Sequence, residues 1–161
     1  MLPAKLQQNN TSLLLNGGGI RTKYFFKVYV GGLYLTTKTD NASDIISSDR
    51  PMAIRMVVTS SLISSDIMVA ATKEGFKKSL KGKTAPFQNN IDDLIETFSK
   101  EPIKEGDVYD FWYFPKVGIK SYKNGKLENT ISGYDFKKAF FGIWLSDDPV
   151  DEDLKKGLLG K

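Results

Sequence analysis

The chain has 161 residues and a mass of 18.0 kDa, with 40% hydrophobic and 26% charged residues, the composition of a globular domain large enough to fold without a metal or disulfide. It contains neither cysteine nor histidine, which excludes thiol nucleophiles, thiolate or imidazole metal sites and every histidine base, so any catalysis must rest on Arg, Lys, Tyr, Asp, Glu or Ser. The formal charge of +4 is spread through runs that mix both signs, as in Lys73-Glu74-Gly75-Phe76-Lys77-Lys78, which describes solvated helix faces and not the basic stripe of a nucleic-acid binder.

Leu13-Leu14-Leu15 reads as a short strand that stops at Asn16-Gly17-Gly18-Gly19, residues that permit positive φ. The run from Tyr24 to Thr36 is aromatic and β-branched and reads as the longest strand, with Gly31-Gly32 marking a bulge or a close backbone approach. Asp40 or Asn41 can cap a short helix ending at Ser47, and residues 51–59 form a further strand. Ile67, Met68, Ala71, Phe76 and Leu80 make a helical stripe after Ser64 or Ser65, so residues 65–80 are expected to be helix, closed by Gly82.

Ile91, Leu94, Ile95 and Phe98 give the apolar face of a helix over residues 88–99. Residues 107–114, 117–122 and 126–132 read as three strands, the last two joined by Asn124-Gly125, the strongest short-range hairpin signal in the chain. Phe136, Phe140, Phe141 and Trp144 lie at helical spacing over 134–144, and a final helix begins near Val150 with acidic residues first and basic ones after. No regular β-α alternation is present. Residues 1–161 therefore read as a single α+β domain, a mostly antiparallel sheet with helices on one face and room for a ligand cleft between the layers.

Several chemistries fail on spacing. Gly17-Gly18-Gly19 is followed by β-type sequence and not by the helix N-terminus that cradles phosphate. Gly82-Lys83-Thr84 lacks the first glycine of a phosphate loop, because Lys77 stands there, and no Ser-x-x-Lys occurs. Asp92-Asp93 and Asp147-Asp148 are adjacent pairs that cannot face one another across a substrate. The strand over 107–114 carries large aromatics on both faces, which suits core packing or the wall of an apolar pocket.

The stretch Leu15-Asn16-Gly17-Gly18-Gly19-Ile20-Arg21-Thr22-Lys23-Tyr24-Phe25-Phe26-Lys27-Val28-Tyr29-Val30-Gly31-Gly32-Leu33-Tyr34-Leu35 resembles the opening of chalcone isomerase-like proteins, specifically their bacterial branch. Phe140-Phe141-Gly142-Ile143-Trp144-Leu145-Ser146-Asp147-Asp148-Pro149-Val150 is similar to that family's C-terminal helices, and Glu74-Gly75-Phe76 falls where its long helix would be. The resemblance implies an open-faced β-sandwich, a large antiparallel sheet packed on a layer of helices. Plant chalcone isomerases close a ring with an early-strand arginine, a threonine in a Phe-x-Lys-x-Thr segment, and a tyrosine and an asparagine on the long helix. Arg21 and Lys27 match the arginine and lysine, but Tyr29 replaces the threonine, Met68 the tyrosine and Gly75 the asparagine. A thioether and a bare glycine cannot position water or polarise a carbonyl as those groups do.

The family's non-catalytic fatty-acid-binding branch is similar in carrying an arginine and a Lys-Val-Tyr segment, here Arg21 and Lys27-Val28-Tyr29. The resemblance thus implies a protein that binds a fatty acid or similar amphipathic carboxylate, with no cofactor and no metal. Arg21 would pair with the carboxylate, Tyr29 would donate a third hydrogen bond, Met68 would line the tail, and Lys27 stands as a rival anion partner. The alternative is an isomerase of the intramolecular lyase type acting on a phenolic substrate. Eight residues of straight strand would separate Arg21 from Tyr29 by roughly 26 Å, so either the chain bends between them or Arg21 is not the ligand residue. No stretch approaches a membrane span. Leu2-Pro3-Ala4-Lys5-Leu6 resembles the mature start of bacterial members, which implies a periplasmic protein whose signal peptide has been removed, the alternative being cytoplasmic.

Overall fold

Seven strands form one antiparallel sheet in the simple order β1 to β7, each paired with its sequence neighbours. The computed structural model describes residues 2–23 and 25–161. The strands are β1 (Lys5–Gln8), β2 (Thr11–Lys23), β3 (Phe26–Leu35), β4 (Met52–Val58), β5 (Val108–Phe114), β6 (Gly118–Lys123) and β7 (Lys126–Ile131). Helix α1 (Ala42–Ser47) joins β3 to β4, α2 (Ser65–Ser79) and α3 (Gln88–Ser99) lie between β4 and β5, and α4 (Tyr134–Leu145) and α5 (Glu152–Leu158) follow the sheet. This is the open-faced α+β sandwich expected from the sequence.

The turns follow from side-chain chemistry. Asn124 and Gly125 both take positive φ, 50° and 84°, which sets the two-residue hairpin pairing Lys123 with Lys126. Asn9 and Asn10 do the same at 48° and 63° and pair Gln8 with Thr11, so β1 exists although its four residues gave no strand pattern. Asn41 caps α1 by accepting from the Asp44 amide, and Ser64 caps α2 by accepting from Ile67.

Three expectations need correction. The strand at Leu13–Leu15 does not stop at Asn16–Gly19 but runs on to Lys23, and its 13 residues make β2 the longest strand in place of the 10-residue β3. The glycines serve close approach and not a turn, since a Cβ on Gly17 would stand 2.2 Å from the Gly157 carbonyl oxygen of α5. The ladder at Gly31-Gly32 is regular, and the register shifts fall in β2, between Leu15 and Gly17 and between Arg21 and Thr22. Gly32 instead accommodates the Leu2 side chain. The start of the long strand at Tyr24 lies outside the described residues.

Alternation along each strand divides the sheet into two faces. Leu33, Ile54, Met56, Tyr109 and Phe111 bury against the helices, joined by Phe76 of α2, Phe98 of α3 and Phe140, Phe141 and Trp144 of α4. Tyr34, Ala53, Trp112 and Tyr122 form a second cluster on the other face with Leu6 and Leu13. The sheet curls around that cluster far enough for Tyr122 of β6 to share it with Leu6 of β1, and Arg55 makes a bidentate pair with Asp110 there at 2.7 and 2.8 Å. Lys137 of α4 is fully buried and donates to the carbonyls of Ile45, Ile46 and Ser48 at 2.5–2.8 Å, closing the C-terminal end of α1. Helices α2 and α4 touch closely where Gly75 faces Ile143.

Candidate functional site

The hairpin between β2 and β3 makes Arg21 and Tyr29 directly opposed residues on neighbouring strands. The chain between them folds back on itself, so the separation that straight strand would impose does not arise. Both side chains line a cavity between sheet and helices. Val28, Met56 and Phe111 belong to its sheet wall, Met68 and Ala71 of α2 and Leu94 and Phe98 of α3 to its helical wall, and Phe140, Ile143 and Trp144 of α4 close it. Of the four residues singled out in the sequence, Arg21, Tyr29 and Met68 meet in this cavity. Lys27 does not line it: its side chain is exposed near the hairpin tip, opposite Thr22.

The polar groups gather at one end. Tyr29 is buried, and its hydroxyl accepts a hydrogen bond from Trp144 Nε1 at 2.8 Å, leaving its own proton for another acceptor. Burial pushes the phenol up to about 12, against the opposing pull of the Trp144 hydrogen bond and the Arg21 charge, while Asp151 reinforces the rise, so the group is a stable donor at neutral pH. Arg21 Nη1 donates to the Thr22 carbonyl at 2.6 Å and lies 3.7 Å from Asp151 Oδ2. Asp151 caps α5, accepting from the Leu154 amide at 3.0 Å, and also accepts from the Thr22 amide at 3.4 Å.

Sequence reasoning did not anticipate Trp144, Asp151 or Lys23, which also lines the cavity. Trp144 was visible only as one aromatic of a helical stripe and Asp151 only as an acidic first-turn residue, and neither pattern says which strand residue it will meet. The helix-facing cavity is tight, about 50 Å³, well below the roughly 300 Å³ or more of a site enclosing a drug-sized ligand. A second depression of about 490 Å³ is bounded by Thr36–Thr39, Asp44 and Asp49–Met52 and shares no residue with the first. Its lining is mostly polar and carries no aromatic side chain, with Leu35, Ile45, Pro51 and Met52 its apolar members.

The chain matches the chalcone isomerase-like family over residues 1–160. It belongs to that family. Among relatives of the chalcone isomerase-like protein, Fatty-acid-binding protein 2 of Arabidopsis thaliana is 25% identical over 123 residues, a match covering 73% of this chain and 30% of the relative. The chain thus spans less than a third of that relative's length. The crystal structure of an Arabidopsis thaliana fatty-acid binding protein, AtFAP1, superposes with a TM-score of 0.75 at 15% identity, covering 98% of this chain and 90% of that one. At that identity the likeness establishes a common fold.

Within the family frame, the altered positions have visible structural consequences. Met68 places a thioether in the cavity wall, where the resemblance puts a catalytic tyrosine. Gly75 is sealed under α4, and a Cβ there would stand 2.8 Å from Ile143 Cγ2, so an asparagine side chain has no room without moving Ile143.

Proposed function

We propose that this protein binds a fatty acid or similar amphipathic carboxylate without transforming it. The observation that carries the reading is the pairing of Arg21 with Tyr29, a fixed cation and a permanent hydroxyl donor set side by side in a largely apolar cavity. Arg21 supplies charge and paired N–H donors to a carboxylate, and Tyr29 adds the proton that Trp144 leaves free. Met68 and the α4 aromatics take the tail. Met68 is unbranched and polarisable, suited to moving aside as the tight cavity widens. The fatty-acid-binding relative and the likeness to AtFAP1 support the same ligand class. Catalysis is disfavoured because Met68 and Gly75 provide no acid, base or oxyanion donor.

The proposal extends to a bacterial source, which the similarity of residues 15–35 to the family's bacterial branch supports, and to a periplasmic location; cell fractionation of the native host tests the location, and a cytoplasmic protein would end it. The ligand reading is tested by native mass spectrometry after gentle purification, followed by titration of the delipidated protein with laurate. Arg21→Ala is expected to weaken laurate roughly 10- to 100-fold, the equivalent of about 1.5–3 kcal/mol for a hydrogen bond to a charged group, while Lys27→Ala leaves affinity unchanged. A clean unliganded mass together with no saturable laurate binding would sink the proposal.

A further inference from the structure

The β2–β3 hairpin tip is built against the local rules of turn chemistry. Phe25 sits there with φ +69° and a fractional exposure of 103%, so a bulky aromatic occupies a left-handed conformation that favours glycine or asparagine, and its ring stands wholly in water. The same chain uses Asn-Gly at the β6–β7 hairpin, where neither cost arises. Phe26 beside it is 47% exposed. Strain and exposure coinciding on one residue are a hint of function.

The tip is not isolated. Thr59 donates from its amide to the Val28 carbonyl at 3.2 Å and from its hydroxyl to the Lys27 carbonyl at 3.0 Å, fastening the β4–α2 connection to the hairpin. That connection and the first turn of α2 carry two further exposed apolar residues, Leu62 and Ile67. Ile67 is also the one exposed side chain among the described residues lining the Arg21 cavity, so the cavity reaches solvent beside this patch. The charge is one-sided: Arg21 to Lys27 contains three basic and no acidic residues. Asp66 lies in the first turn of α2 and Glu101 meets that turn through its carbonyl, which accepts from Ser65 Oγ, while Asp151 is engaged by Arg21.

We infer that this tip, with Phe25 and Phe26 inserted and Lys23 and Lys27 at headgroup level, docks the cavity mouth onto an anionic lipid bilayer. Exposed aromatics flanked by lysines match the interface, where rings enter the acyl boundary and ammonium groups meet anionic headgroups. Docking there would let an amphipathic ligand pass between bilayer and cavity without crossing water. The inference rests on the fatty-acid reading for its purpose, but the docking itself is measurable without it.

The test is co-sedimentation with vesicles of phosphatidylcholine alone and of equimolar phosphatidylcholine and phosphatidylglycerol. The native protein is expected to partition onto the anionic vesicles and to be released by salt. Phe25→Asn removes the ring and relieves the strained φ, so it is expected to lower partitioning about tenfold or more while the urea midpoint holds or rises. Opposite signs for docking and stability exclude simple misfolding as the explanation. Equal partitioning of native and variant proteins, no partitioning of the native protein, or a concentration-dependent dimer that Phe25→Asn dissolves would each overturn the inference. Laurate titration of Phe25→Asn separates the two proposals: retained affinity with lost docking supports this one, and lost native laurate binding with docking intact removes only the ligand reading.

Discussion

Arg21 and Asp151 face each other at 3.7 Å across the gap between β2 and the start of α5, with both side chains about one-seventh exposed. The guanidinium proposed to take a ligand carboxylate therefore already has a protein carboxylate nearby, and the same Asp151 caps a helix. A bound fatty acid must share Arg21 with Asp151 or displace it.

Asp151→Asn separates those roles, because asparagine caps a helix about as well as aspartate while carrying no charge. Removing a partly exposed competing charge is worth on the order of 1 kcal/mol or less, so laurate affinity should rise up to about fivefold with little change in the urea midpoint. A fall in affinity would mean that Asp151 orients the guanidinium for the ligand instead of competing with it.

Gly17 tests whether α5 must lie against β2 for the site to exist. Its missing Cβ would stand 2.2 Å from a backbone oxygen of Gly157, an obstacle that cannot rotate away, whereas a Cβ on Gly19 would meet the end of the Leu154 side chain at 3.1 Å. Gly17→Ala should cost about 1–3 kcal/mol in urea unfolding, the usual range for overpacking, and Gly19→Ala clearly less. Because α5 carries Asp151, Gly17→Ala should also loosen the Arg21–Asp151 contact, visible as NMR shift changes at the Thr22 and Leu154 amides that donate to the Asp151 carboxylate. Equal midpoints for the two variants would show that α5 is not held by this contact.

The fold was legible where local chemistry and periodicity agreed. The Asn124-Gly125 hairpin, the Ser64 cap and the apolar stripes of α2, α3 and α4 all appear as the spacing of their residues dictates. The glycine run of β2 was misread because glycine's tolerance of positive φ and its lack of bulk are indistinguishable in sequence, and here lack of bulk decides. Arg21 and Tyr29 were legible as candidates through family resemblance alone, and their juxtaposition depends on a reversal at residues 23–26 that carries no glycine or asparagine. The Trp144–Tyr29 bond spans 115 residues. Nothing local to either residue encodes it.

The buried Tyr29 phenol makes a prediction about alkaline stability. Its pKa rises from 10.0 to about 12, chiefly through burial, so below pH 10 the folded and unfolded chains both hold this proton and its contribution is complete. Between pH 10 and 12 the unfolded chain releases the proton while the folded chain keeps it, and stability falls with rising pH. The loss attributable to this residue is on the order of 2 kcal/mol across that window, because each tenfold difference in proton affinity between the two states is worth about 1.4 kcal/mol. Tyr29→Phe removes it. The variant should be less stable at pH 8, since the Trp144 N–H loses its acceptor at a cost of about 1–3 kcal/mol, and the gap between native and variant urea midpoints should narrow steadily from pH 10 to pH 12. Tyr34, also raised to about 12 mainly by burial, adds its own alkaline loss to both proteins and so drops out of the comparison. A gap that stays constant across the window would show that the Tyr29 hydroxyl is not held protonated by the fold, and with that the donor proposed for the ligand carboxylate would lose its basis.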